Sequence, residues 1–143
     1  MGRTAYYCYR FGIKNFTLVD LLIPKICQIN YLSRIIQEKK IILNPKKNDF
    51  KKKNIKIISP EFLFMNTLKF DLVFNSDSFT EIDLINQNKY KKYISKNSKI
   101  FYSINHENNK FRVRDFFKKI NSLNYSRNLY WLRKGYVEEI FKF

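Results

Sequence analysis

Phe70-Asp71-Leu72-Val73-Phe74-Asn75 decides the fold of this chain. The run is apolar, interrupted by one carboxylate, and gives way to polar residues at Asn75. A strand covered on both faces has this pattern, and such strands belong to parallel sheets flanked by helices. Three further runs extend the pattern. Asn15-Phe16-Thr17-Leu18-Val19-Asp20 is a short apolar strand ending in an acid. Ile55 to Ser59 is a strand closed by Pro60, and Lys99 to Asn105 is another with Ile100, Phe101, Tyr102 and Ile104.

Helices fall between these strands. Thr4 to Phe11 reads as a helix closed by Gly12, since glycine relieves a left-handed cap. Ile26, Ile29, Leu32, Ile35 and Ile36 recur at helical spacing, so Pro24 to Gln37 is an amphipathic helix with proline in its first turn. Residues Ile82 to Ile94 and Val113 to Ile120 complete the helical set. Leu129 to Leu132 and Tyr136 to Phe143 read as a terminal antiparallel pair turning at Lys134-Gly135. The alternation predicts an open α/β sheet, mostly parallel, in a single domain spanning residues 1–143.

Composition limits the function classes. The chain has 143 residues, 45% hydrophobic and 17% aromatic, enough for a packed core rather than a disordered chain. The net charge of +16 admits a polyanionic partner. Lysine dominates arginine, however, and Lys, Asn, Ile, Phe and Tyr are enriched together, as AT-rich codons would produce. A selected phosphate site favours arginine, so nucleic acid is a less favoured partner. Cys8 and Cys27 lack metal-ligand spacing, which fits a reduced cytoplasmic setting with no metal. No apolar run is long enough to span a bilayer.

Ligands of open α/β sheets bind beyond the carboxyl ends of the strands. Asp20 follows the first strand, where a carboxylate can accept ribose hydroxyls or simply start a helix. Asn75-Ser76-Asp77-Ser78-Phe79-Thr80-Glu81 follows the central strand. Asp77 and Glu81 are spaced to share one side of a helix start and could act on a hydroxyl, while Ser78 and Glu81 also fit a capping box. After the last parallel strand stands His106, the single histidine, whose ordinary pKa suits proton transfer, with Glu107 beside it.

Gly2-Arg3-Thr4-Ala5, then Phe16-Thr17-Leu18-Val19-Asp20-Leu21, then Phe70 to Ile82, Tyr90, and Phe101-Tyr102-Ser103-Ile104-Asn105-His106-Glu107 together resemble a family of sugar O-methyltransferases within the class I S-adenosylmethionine-dependent enzymes. The resemblance implies a Rossmann-like sheet and methyl transfer from S-adenosylmethionine to a sugar hydroxyl in surface glycan biosynthesis. It implies cofactor contacts from Gly2, Asp20 and Asn75, a motif of Asn75, Asp77 and Glu81 facing cofactor and acceptor, and a family signature of unproven role at His106 and Glu107; the candidate catalytic bases are His106, Asp77 and Glu81. Met1 would fall inside the family's glycine-rich loop, so the first, central strand is expected to be missing and the chain to be a fragment, a split gene product or one with a late start. The alternatives are a basic nucleic-acid-binding protein or RNA methyltransferase, and an inactive remnant.

Overall fold

A computed structural model describes residues 2–37, 40–117 and 124–143. The chain divides into two compact units, Met1–Asn66 and Thr67–Phe143.

In the first unit, α1 (Arg3–Arg10) leads through Gly12 into β1 (Phe16–Val19). Gly12 has φ +92°, and the N–H groups of Gly12 and Ile13 reach back to the carbonyls of Tyr9 and Cys8. Those two hydrogen bonds close the helix as a left-handed glycine cap does. Next come α2 (Leu22–Ser33), β2 (Ile41–Leu43), β3 (Ile55–Ile58) and α3 (Pro60–Met65). Ser59 caps α3 by accepting the Phe62 N–H at 3.3 Å, so Pro60 opens a helix as well as ending a strand. The three strands are parallel in the order β1-β3-β2. Central β3 is buried at every residue. Its Ile55 and Ile57 pack with Ala5, Leu32 and Ile36 to form the core of this unit.

In the second unit, β4 (Phe70–Ser76) is followed by a short 3-10 turn (Phe79–Glu81), α4 (Leu84–Asn97), β5 (Ser98–His106), α5 (Val113–Phe117), β6 (Asn124–Leu129) and β7 (Tyr136–Lys142). The strand order is β4-β5-β7-β6. β4 and β5 are parallel, and β7 is antiparallel to both its neighbours. Phe79, Ile94, Phe101, Val113, Phe116, Phe117 and Phe141 form the core.

The α/β class and the terminal antiparallel pair agree with expectation, with two corrections. The strands form two sheets, one in each unit, rather than the single open sheet expected: β1-β3-β2 and β4-β5-β7-β6. The pair's first strand starts at Asn124, earlier than Leu129, because the polar run Asn-Tyr-Ser-Arg-Asn-Leu lies on an exposed edge and needs little apolar content. Of the expected helix Val113 to Ile120, α5 covers Val113–Phe117, and residues 118–120 lie outside the described residues.

Candidate functional site

β4 and β5 run in parallel, so their carboxyl ends, Ser76 and His106, open on the same side of the sheet. β7 runs the other way and enters at Tyr136, directly opposite His106 in the register. Polar side chains from three strands therefore gather at one sheet end.

The inner part of this cluster is organised by Asn105, which is 2% exposed. Its amide donates to Asn75 Oδ1 at 2.8 Å and to Ser103 Oγ at 2.7 Å. Asn75 in turn donates to Ser78 Oγ at 2.6 Å and accepts the Phe79 N–H at 3.2 Å. Thr80 Oγ1 accepts from Asn109 at 2.5 Å. These bonds satisfy groups that would be costly to bury unpaired, and they fix the turn after β4. Asn75, expected beside a cofactor, spends both ends of its amide on that turn.

The outer part converges on Tyr136. Its hydroxyl accepts from Arg133 Nη2 at 2.6 Å, and the Arg133 guanidinium lies 3.8 Å over its ring. Arg133 also pairs with the Asp77 carboxylate. The Tyr136 hydroxyl donates to the Asp77 carboxylate, and that bond, followed by loss of solvation and the charge of Asp77, holds the phenol pKa above the ordinary range; Arg133 opposes this and Glu81 adds a smaller push upward. The His106 ring meets the Tyr136 ring edge-on at 5.0 Å. His106 Nδ1 accepts the Asn108 N–H at 3.1 Å. That bond requires an unprotonated Nδ1, which puts the proton of the neutral ring on Nε2.

Of the three expected catalytic residues, Asp77 and His106 thus meet at one tyrosine, and Glu81 acts on it only through its charge. Their local setting differs from expectation. Asp77 stands at φ +56°, a left-handed turn position, and its N–H donates to the Ile104 carbonyl at 3.0 Å. It does not share a helix start with Glu81. Ser78 makes no side-chain cap, and the cap of α4 is Asp83, which accepts the Asn86 N–H at 3.0 Å. Glu107, next to His106 in sequence, is turned to other partners. It faces Arg127 at 2.5 Å and Arg112 at 3.8 Å. Arg133 and Tyr136 went unread because a basic residue in a hairpin turn and a tyrosine starting a strand carry no motif.

Gly2 and Asp20 belong to the first unit. Gly2 has φ +76°, and a Cβ there would meet Tyr31 at 3.2 Å and Leu32 at 3.4 Å, so packing against α2 suffices to explain the glycine. Asp20 accepts the Leu21 N–H at 2.9 Å and the Gln28 amide at 2.7 Å, one bond on each oxygen. Gln28 Oε1 is buried without a hydrogen-bond partner. A hollow of about 480 Å³ bordered by Gly12, Lys14, Asn15 and Lys53 lies at the amino end of β1, opposite the end where α/β sheets bind ligands. Among the described residues no group of three or more His, Cys, Asp or Glu could hold a metal ion, and no helix is long and apolar enough to cross a membrane.

No protein-family model, curated protein or solved structure matches the chain.

Proposed function

We propose that the chain is a Rossmann-like S-adenosylmethionine-dependent O-methyltransferase domain acting on a sugar hydroxyl, in cytoplasmic synthesis of surface glycans. The observation that carries this reading is the meeting of Asp77 and His106 at Tyr136, within reach of the Glu81 charge, at the carboxyl ends of parallel β4 and β5. The antiparallel β7 and β6 beyond β5 also suit the mostly parallel sheet with an antiparallel tail that the sequence resemblance implies.

The donor set at Asp20 fits the cofactor. Each carboxylate oxygen is used once and keeps a lone pair for a ribose hydroxyl. When bound, S-adenosylmethionine supplies an electrophilic methyl group on a sulfonium centre. The acceptor hydroxyl must lose its proton as it is methylated. Glu81 is exposed and makes no ion pair among the described residues, so it is the carboxylate best placed to take that proton. Asp77 is engaged by Arg133 and Tyr136 and orients the tyrosine. His106 already uses Nδ1 as an acceptor, so it supports the Tyr136 ring rather than serving as base.

Transfer of label from S-adenosylmethionine to a panel of sugars and nucleotide sugars tests this. Glu81→Gln is expected to cut transfer by about 100-fold or more with affinity for cofactor intact, as loss of a general base does. Asp20→Ala is expected to weaken cofactor binding by roughly tenfold. Calorimetry showing no cofactor binding, or full transfer by the Glu81→Gln variant, would overturn the reading.

A further inference from the structure

Three side chains at the tip of the β6–β7 hairpin take no part in the chemistry above. Leu129 is 81% exposed, Trp131 86% and Leu132 58%. Water-facing turns usually favour Gly, Asn, Asp and Ser, yet three large apolar side chains crowd this one. The tip is braced. Tyr130 N–H donates to the Tyr136 carbonyl at 2.9 Å, Arg133 N–H to the Tyr130 carbonyl at 3.2 Å, and Tyr136 N–H to the Arg133 carbonyl at 3.2 Å. The Arg133 side chain is drawn onto Asp77 and Tyr136, and the Glu107 N–H donates to the Gly135 carbonyl at 2.9 Å. Little order would be lost when such a platform docks.

Charge identifies what it docks on. Of the basic residues between Asn124 and Val137, Arg127 is held by Glu107 and Arg133 by Asp77, which leaves Lys134 as the unneutralised cation of the hairpin. Lys134 is exposed and forms no ion pair among the described residues, and exposed Lys110 lies on the loop that Glu107 begins. A second copy would bring the same basic tip against itself on a chain of charge +16, which is repulsive. Aliphatic Leu129 and Leu132 suit acyl chains rather than bases or phosphates. An indole sits well at the headgroup level, and lysine reaches anionic headgroups around it. We propose that this tip is an anchor that inserts Trp131, Leu129 and Leu132 into an anionic phospholipid surface. The inference is independent of the methyltransferase reading.

Trp131 is the chain's single tryptophan, so its fluorescence reports on the tip alone. Vesicles of phosphatidylcholine with about one-third phosphatidylserine are expected to shift its emission to the blue, with binding about tenfold weaker on pure phosphatidylcholine and in high salt. Phosphatidylserine vesicles with brominated acyl chains are expected to quench it, a readout that needs no variant. In co-sedimentation, Trp131→Ala and Leu132→Ser should each reduce binding about fivefold or more, while Lys51→Gln with Lys53→Gln in the first unit changes it by less than about twofold. Absence of quenching overturns the proposal. So does a blue shift that grows with protein concentration without lipid, which would mean a second copy covers the tip. Binding that follows the Lys51 and Lys53 changes instead of the tip also overturns it, as unspecific attraction of a basic chain.

Discussion

His106 lies against Gly135 so closely that a Cβ on the glycine would stand 2.7 Å from His106 Nε2. Gly135 also has φ +82°, a conformation that disfavours any side chain. The two constraints are separate. Gly135→Ala is expected to destabilise the fold by about 2–3 kcal/mol, combining roughly 1–2 kcal/mol of left-handed strain with a steric share. Adding His106→Ala should recover the steric share and leave the strain. Urea titration of the single and double variants measures both, and a double variant no more stable than Gly135→Ala would contradict the contact.

Asp77 combines a left-handed backbone with an ion pair to Arg133, and different substitutions separate these. Asparagine tolerates this conformation and keeps a polar end, so Asp77→Asn should cost no more than about 1 kcal/mol, since the pair is substantially exposed and screened by water. Asp77→Val meets the backbone strain directly and should cost at least about 1 kcal/mol more. Equal midpoints for the two variants in chemical denaturation would show that backbone strain is not what selects the residue.

The strands β4 and β5 were legible from Phe70 to Asn75 and Lys99 to Asn105, one residue short at β4's end and at each end of β5, because apolar runs of this length have few other uses. β2 was not, because Ile41-Ile42-Leu43 is three residues long and too short for any period. The polar edge strand β6 was displaced for the same lack of signal. Asp77, Glu81 and His106 could be nominated from their positions after strands, a rule about topology. Their meeting point could not: Tyr136 arrives through the antiparallel register that sets it opposite His106, and that register depends on a hairpin between residues far down the chain. The Asp83 cap was missed because Ser78 and Glu81 offered a better local pattern, but the turn at Asp77 delays the helix to Leu84.

Lys56 is fully buried at the middle of central β3, an unusual place for lysine. Its ammonium donates to Asn15 Oδ1 at 2.6 Å and to the Lys52 carbonyl at 2.5 Å. Burial lowers its pKa below the ordinary 10.5, with Asp49 opposing. A lowered lysine pKa means the unfolded chain holds the proton more tightly. The group's contribution is therefore present above pH 10.5 and is lost as pH falls through the lowered folded value. Lys56→Met should be no more than about 2 kcal/mol less stable at neutral pH, and Lys56→Ala about 2 kcal/mol worse again from the cavity. The advantage of the natural chain over Lys56→Met should grow as pH rises towards 10.5. A difference that shrinks over that range would refute the burial effect.

Glu139 poses the opposite case on β7. It is 1% exposed, accepts the Tyr125 hydroxyl at 2.6 Å, and lies 3.7 Å from Arg127 Nε. Burial raises its pKa above the ordinary 4.5, and the charge of Glu107 acts in the same direction, against the Tyr125 hydrogen bond and Arg127. The folded chain thus binds this proton more tightly than the unfolded chain does. The stability so contributed is complete below pH 4.5 and is lost as pH rises through the raised folded value. Glu139→Gln keeps the shape and an acceptor for Tyr125 but cannot ionise. Subtracting its stability from that of the natural chain removes the titration of other carboxylates, and the remainder should fall steadily as pH climbs from 4 through the folded pKa. Urea midpoints taken across this range decide it: a remainder that is flat or rises would mean that Arg127 and Tyr125 outweigh the cost of burying the charge.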